Sequence, residues 1–407
     1  MTVPPAAEEP LDWRFKSVPV SWWGRTPAEI VAERPALRPS DLTGPLCVLR
    51  AEALTHNLDT VAAWCRRHGV ELAPHGKTHM APALAARQLA AGACAITVAT
   101  VAQGAVYRAF AVPALVLAGE LIDPAGLAWV GAELDVHPEL TFTCWADSVR
   151  GVELMTAGLA GTRRSVDVCV EVGIPGGRSG CRTRAEIDAV ARAVADSPRL
   201  RLAGVAGYEA AVGQTLTPQA HGVVADHLAL LRETAIRLAP RVQTASMMVS
   251  AGGSTYFDVV ADALTGWPDG LPVRTVLRSG CSLTHDHGLY ARTSPLTRDG
   301  GDALRPALEV HAPVVSHPER DMAVVGMGRR DVGFDQGLPV PLDLPGSTVT
   351  TLYDQHATLR LGGGDAVEIG QWLRFGISHP CTTFDRWQLI PMLDAQDRVV
   401  DLIRTYF

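Results

Sequence analysis

The sequence predicts an α/β chain: a (β/α)8 barrel followed by a C-terminal antiparallel β domain. Three observations carry this. Between residues 71 and 278, eight short β-branched or apolar runs recur, separated by Ala-, Leu- and Arg-rich stretches with helical spacing. After about residue 290 the runs become shorter, alternate, and are broken by turn signals, the texture of antiparallel sheet. The composition, 47% hydrophobic and 19% charged over 407 residues, is that of a globular chain with a large core, which excludes disordered, collagen-like and coiled-coil classes.

The elements follow in order. Residues 1–45, with Trp13, Trp22, Trp23 and several prolines, lack a barrel pattern and are expected to pack on the C-terminal β domain. Residues 46–290 form the barrel. Its strand runs are 71–75, 93–99, 114–118, 140–144, 166–172, 204–208, 247–250 and 274–278, and the stretches 82–91, 147–159, 184–195 and 220–238 are long enough for crossover helices. An open doubly wound sheet has similar periodicity, but eight repeats favour the closed barrel. Residues 291–407 carry the alternating runs 307–315, 321–325, 347–353 and 357–361, the last followed by the turn Gly362-Gly363-Gly364-Asp365.

A net charge of −7 without a Lys/Arg-rich run argues against nucleic acid or an anionic membrane as partner, and points to small molecules. No apolar stretch reaches the roughly 18 residues that span a bilayer, and residues 1–20 lack an apolar segment after a basic start, so a cytoplasmic protein is expected. The eight cysteines, with no CxxC pair, read as free thiols.

Only two lysines, Lys16 and Lys77, stand among the 36 basic residues. Codon bias accounts for the imbalance, yet Lys77 sits where a barrel keeps its catalytic groups, at the C-terminal end of a strand. In Pro74-His75-Gly76-Lys77-Thr78-His79, period-two alternation would project His75, Lys77 and His79 to one side. A lysine between two imidazoles on an inward face is costly as a cation, which makes a Schiff-base role plausible against the commoner reading of an exposed loop lysine. Other strand ends add Arg178 in a glycine-rich turn and Tyr208-Glu209 at the mouth. The loops Gly252-Gly253-Ser254 and Arg278-Ser279-Gly280-Cys281, after the seventh and eighth strands, suit a cofactor phosphate, although two tight turns would look the same. In the C-terminal domain His379 and Cys381 stand two positions apart and could supply two ligands to zinc, with Asp354 or His356 as further contributors. His285-Asp286-His287 is either a metal neighbour or a hydrogen-bonded turn. Gly326-Met327-Gly328 lacks the third glycine of a dinucleotide loop.

Together, Pro74–His79, Gly252-Gly253-Ser254, Arg278-Ser279-Gly280-Cys281 and His379-Pro380-Cys381 resemble the D-threonine aldolase and D-serine dehydratase family, the metal-activated branch of the alanine-racemase-like enzymes that use pyridoxal 5'-phosphate (PLP). The resemblance runs from about residue 45 to the C-terminus. It implies a barrel that holds PLP, a C-terminal β domain that holds a divalent metal, and a homodimer. Lys77 would form the imine with PLP, with His75 beside it, Arg178 and Tyr208 bordering the ring, and Gly252, Gly253, Ser254, Gly280 and Cys281 around the phosphate. His379 and Cys381 match the metal ligands, zinc being the expected ion and manganese the alternative. Cys at the second ligand position resembles the dehydratases, whereas the aldolases have Asp. Gly76 replaces a branched residue and Met80 a common second lysine, which leaves substrate range open.

The activity so implied is β-elimination from a D-3-hydroxy amino acid to a 2-oxo acid and ammonia. Lys77 would take the Cα proton, the metal would assist departure of the 3-hydroxyl, and His79 would orient the cofactor or carry a proton. The alternative is retro-aldol cleavage to glycine and an aldehyde. A racemase gains nothing from a metal, and a non-catalytic PLP carrier needs no metal domain.

Overall fold

Short strands buried on both faces alternate with helices that carry their own start signals. The computed structural model describes residues 9–298 and 303–407. Strand β1 (Leu46–Arg50) comes first and leads directly into the helix Ala51–His68. Eight parallel strands follow: β2 (Glu71–Leu72), β3 (Ile96–Val98), β4 (Ala114–Glu120), β5 (Thr141–Ala146), β6 (Val166–Val172), β7 (Leu200–Gly207), β8 (Met247–Ser250) and β9 (Val273–Leu277). These are the eight expected runs. The helices between them start where Thr100, Asp123, Ser148, Thr183 and Thr217 each accept a backbone N–H of the first turn, and Thr183 forms a full capping box with Glu186. The helix Ala51–His68 was not foreseen. Its buried Leu54, Asn57, Val61, Trp64 and Cys65 recur at helical spacing, and Gly69 ends it in the left-handed region.

The sheet order is β2-β9-β8-β7-β6-β5-β4-β3. Its two ends meet, because Cys94 N–H donates to Leu72 O (2.8 Å), Thr97 N–H donates to Pro74 O (2.9 Å), and His75 bridges Thr97 in parallel. β2 is shorter than the run 71–75 for a simple reason: Pro74 has no N–H to give to the ladder. Inside the ring Ala73, Val116, Trp145, Cys169, Ala203, Ala206, Met248 and Val276 pack together, while a larger apolar layer lies between strands and helices. The expected barrel and C-terminal β domain are therefore both present.

The second sheet holds β10 (Leu308–Glu319), β11 (Met322–Val325), β12 (Val340–Pro341), β13 (Thr348–Leu352), β14 (Ala357–Arg360), β15 (Trp372–Gly376), β16 (Leu389–Leu393) and β17 (Val399–Arg404). Its main path is β13-β14-β11-β10-β1-β16-β17, with β15 on β10 and β12 on β15. Every pairing is antiparallel except β1 with β16. Thus β1, which precedes the barrel in sequence, is a central strand of the other sheet. Leu11, Phe15, Val18, Trp22 and Ile30 share that sheet's core, and Lys16 fixes the segment by donating to Arg330 O (2.8 Å) and reaching Asp331 (3.2 Å) with its ammonium over the Trp387 ring.

Candidate active site and metal centre

The chain after β2 carries Lys77. Alternation does not continue there: Gly76–Thr78 is a single 3-10 turn, and the next residues are buried. His75 and Lys77 line a cavity of about 320 Å³ at the C-terminal mouth of the barrel; His79 does not. Instead His79 is 1% exposed, its Nδ1 accepts the Ala81 N–H (3.0 Å), and its Nε2 lies 3.3 Å from Gln88 Oε1. Burial drives its pKa down to about 4. It is a neutral group that shapes the turn beneath Lys77, and the expectation that all three side chains share one face fails at this residue because the backbone coils.

One cavity is lined by His75, Lys77, Arg178, Tyr208, Gly252, Gly253, Ser254, Gly280, Cys281, His379 and Cys381, whereas Asp354, His356, His285 and His287 lie outside it. Lys77 makes no hydrogen bond or ion pair among the described residues. His75 Nδ1 is buried without a partner, and burial together with the neighbouring Lys77 charge holds His75 well below its ordinary pKa. Tyr208 is a neutral phenol, pushed up to about 12 by burial.

The phosphate loops behave unequally. Gly252 and Gly253 give their N–H groups to the buried Glu209 carboxylate (2.9 and 2.7 Å), so neither is free for an anion in this arrangement. The N–H groups of Ser254, Gly280 and Cys281 have no acceptor among the described residues, and the Ser254 and Ser279 hydroxyls lie 2.8 Å apart beside them. A Cβ on Gly280 would come 2.6 Å from Thr78 Oγ1 and 2.7 Å from His75 O, so only glycine lets this loop close on the Lys77 turn. An uncommitted amine, an orphaned imidazole nitrogen and free N–H groups at one mouth fit a PLP-like cofactor. Arg278, buried at the base, donates to Ser250 Oγ (2.6 Å) and Gly207 O (2.7 Å).

At the cavity rim the thiols of Cys281 and Cys381 and the imidazole of His379 bring their ligand atoms within 4.8 Å of one another. The two sulfurs are 3.5 Å apart, and Thr78 Oγ1 lies 3.4 Å from Cys381 Sγ. Asp335 holds His379 Nδ1 at 2.7 Å, which leaves Nε2 for the thiols. A hydrogen bond from Cys281, aided by His379, overcomes burial and holds the Cys381 thiol well below its ordinary range; burial opposes a charge on His379, but Cys381 and Asp335 lift it to about 9. Ligation of a metal ion here needs Cys381 as thiolate and His379 as neutral imidazole, so binding would release the proton held on His379. Asp354 and His356 are not in the cluster, and neither are His285 and His287.

Sequence reading missed several groups here. Cys281 was assigned by its backbone, and its thiol joins the ligand cluster. Asp335 and Tyr290 belong to no motif. Glu171, at the end of β6, faces Glu120 and Asp147, and burial with the Glu171 charge raises Glu120 to about 8.

Comparison with known proteins follows the same division. The family described as alanine racemase, N-terminal domain, matches residues 49–263, and the putative serine dehydratase domain matches residues 307–393. A D-threonine aldolase of Arthrobacter sp. is 28% identical over 370 residues, 87% of this chain and 91% of that protein. The crystal structure of a D-threonine aldolase from Filomicrobium marinum superposes with a TM-score of 0.79 at 23% identity, covering 90% of this chain and 95% of its own. D-threo-3-hydroxyaspartate dehydratase from Delftia sp. HT23 gives 0.70 at 22% identity, covering 89% and 97%, and a mutant dehydratase of that name is known in a metal-free form.

Proposed function

The chain belongs to the alanine racemase N-terminal domain family, and on that basis we propose that it is a PLP-dependent lyase that uses a divalent metal to eliminate water from D-3-hydroxy amino acids, giving a 2-oxo acid and ammonia. One observation carries the reading: Lys77 from the barrel and His379 with Cys381 from the second domain line the same cavity. A racemase has no use for such a pair.

When bound, PLP supplies an electron sink for negative charge at Cα. Lys77 would hold its aldehyde, the Ser254, Gly280 and Cys281 N–H groups its phosphate, and Tyr208 and Arg178 would border its ring; their common place in the cavity supports these roles. Freed of the cofactor, Lys77 Nζ is also the group placed to accept the Cα proton, and the neutral His75 beside it adds no competing charge. A divalent ion on His379 and Cys381 would supply Lewis-acid help to a departing 3-hydroxyl, hydroxide being a poor leaving group. A homodimer is the form this reading supports, which light scattering of the purified protein tests.

Retro-aldol cleavage is the second reading, favoured by the Arthrobacter D-threonine aldolase match across most of both chains. The two reactions share Lys77 and the metal and differ in which bond at Cβ breaks. Incubating the holoenzyme with D-serine, D-threonine and D-3-hydroxyaspartate separates them: 2-oxo acid plus ammonia supports elimination, and glycine plus aldehyde supports cleavage. Release of neither product would refute the lyase reading. Lys77→Ala is expected to lose both turnover and the visible imine absorbance; a band that persists would remove Lys77 from its role.

A further inference from the structure

We infer that Cys281 is a third protein ligand of the metal, so that the centre is a two-thiolate, one-imidazole site that selects zinc over manganese and is shared by the two domains. The inference rests on the reading that His379 and Cys381 hold an ion, and it concerns what completes that site.

The geometry is already that of a ligand set. In a tetrahedral zinc site with Zn–S bonds of about 2.3 Å, two sulfurs stand about 3.8 Å apart. Cys281 and Cys381 stand at 3.5 Å, and His379 offers a ring nitrogen within 4.8 Å of both. No large movement is needed to bring three atoms onto one ion. Orientation is fixed at each ligand by a separate contact. The Cys281 carbonyl accepts the His285 N–H (2.7 Å), and Gly280 before it fits against His75 and Thr78, so the thiol is aimed by a rigid loop. Asp335 takes the far side of the His379 ring.

The surroundings separate Cys281 from the other buried cysteines. Cys144, Cys65 and Cys181 sit within the barrel's apolar layer, Cys169 inside the ring, and Cys47 in the core of the second sheet; Cys181 alone among them donates its thiol, to Asp147 O (3.2 Å), and none has a second thiol and an imidazole beside it. Cys281 is 5% exposed, yet its cluster is Leu289, Tyr290 and Cys381, at the wall of a polar cavity. A thiol with a second thiol and an imidazole as neighbours at a cavity wall has the chemistry of a ligand rather than of packing.

The identity of the ion follows from the donors. Thiolates favour zinc-like, thiophilic ions, whereas manganese prefers carboxylate, carbonyl and water oxygens. With three protein ligands the fourth tetrahedral position remains for substrate, the pattern of a catalytic zinc site. Cys281 comes from the loop after β9, whereas His379 and Cys381 come from the segment after β15, so the ion ties the barrel to the second sheet.

The test replaces zinc by cobalt(II) in the PLP-loaded wild type, in Cys281→Ser and in Cys281→Asp. Stoichiometry is read by elemental analysis, thiolate number by the intensity of the sulfur-to-cobalt charge-transfer band, and affinity by competition with a chelator. Wild type is expected to bind one cobalt per chain with the intensity of two thiolates. Cys281→Ser should fall to about half that intensity and lose more affinity than the roughly 10–100-fold typical of losing an outer partner. Cys281→Asp should regain affinity but not the second thiolate band, which guards against a Ser variant that merely folds poorly; thermal melts of the metal-free proteins check that point. Unchanged intensity and affinity in Cys281→Ser would overturn the inference while leaving the His379–Cys381 site in place. A wild type that takes up no cobalt would overturn both. Wild type that exchanges zinc for manganese at equal concentration would overturn the selectivity.

Discussion

Tyr107 leaves room only for glycine at position 76. The Tyr107 hydroxyl donates to Gly76 O (2.8 Å), and a Cβ on Gly76 would come 2.6 Å from the Tyr107 Oη and 2.7 Å from its ring. Tyr107 is fully buried and cannot step aside. Gly76→Ala is therefore expected to cost about 1–3 kcal/mol in stability, as overpacking of a tight core does, and to lower kcat by displacing Lys77; urea melts and steady-state kinetics read the two effects. Met80 has a similar logic: it is 2% exposed with a left-handed backbone, a place where a lysine would have to be buried. Asp335 is legible only in three dimensions, since 44 positions separate it from the imidazole it holds. Asp335→Asn is expected to weaken metal binding by roughly 10–100-fold with little change in the melting temperature of the metal-free protein, measured by chelator competition. The place of Lys77 in the cavity, in contrast, was legible from its position at a strand end.

Between elements, a network of charged side chains fixes β1. Arg50 at its end donates to Glu309 of β10 from Nη2 (2.9 Å) and to Asp397 of the β16–β17 turn from Nη1 (2.6 Å), and His311 reaches the same Glu309 (3.1 Å). Burial alone would raise Glu309, but hydrogen bonds from His311 and Arg50 hold it down to about 2. A carboxyl lowered on folding stabilises fully above its ordinary value, near 4.5, and that stabilisation is lost as pH falls from there towards 2. The amount is ~3 kcal/mol. Glu309→Gln should accordingly show a shallower fall in stability between about pH 5 and pH 2 than wild type, followed by denaturant melts across that range. Arg50→Ala, which leaves Glu309 buried with one partner fewer, is expected to cost about 3 kcal/mol at neutral pH. At this scale all eight barrel strands were legible, because parallel strands are continuous apolar runs. The turn at Gly76–Thr78 was not, since alternation is indistinguishable from a coil over four residues. Nor were β12, β15, β16 and β17, whose runs are interrupted by proline, arginine and aspartate.

For the whole molecule, the site exists only where two domains meet. The barrel supplies Lys77 and the loops after β8 and β9, and the second sheet supplies His379 and Cys381. An ion bound across this junction stabilises the joined form by roughly 4 kcal/mol at a thousandfold excess over its Kd. Chelation is therefore expected to lower the melting temperature by several degrees, and to do so much less in His379→Ala. A melting curve indifferent to chelator in the wild type would argue against an ion at the junction. The barrel and its follower were both legible as patterns. That β1 lies in the second sheet was not, because strand pairing across the length of the chain leaves no local trace.

The placement of β1 also sets an order of events during synthesis. Leu46–Arg50 is made long before its neighbours, β10, where Leu49 faces Leu308, and β16, where Leu49 faces Met392. One edge of this apolar strand stays open until β10 follows the whole barrel, and the other until β16 is made later still. The nascent protein thus carries a long interval of exposure to strand-to-strand aggregation. Its yield in a cell should depend on chaperone supply more than the stability of the finished fold would suggest.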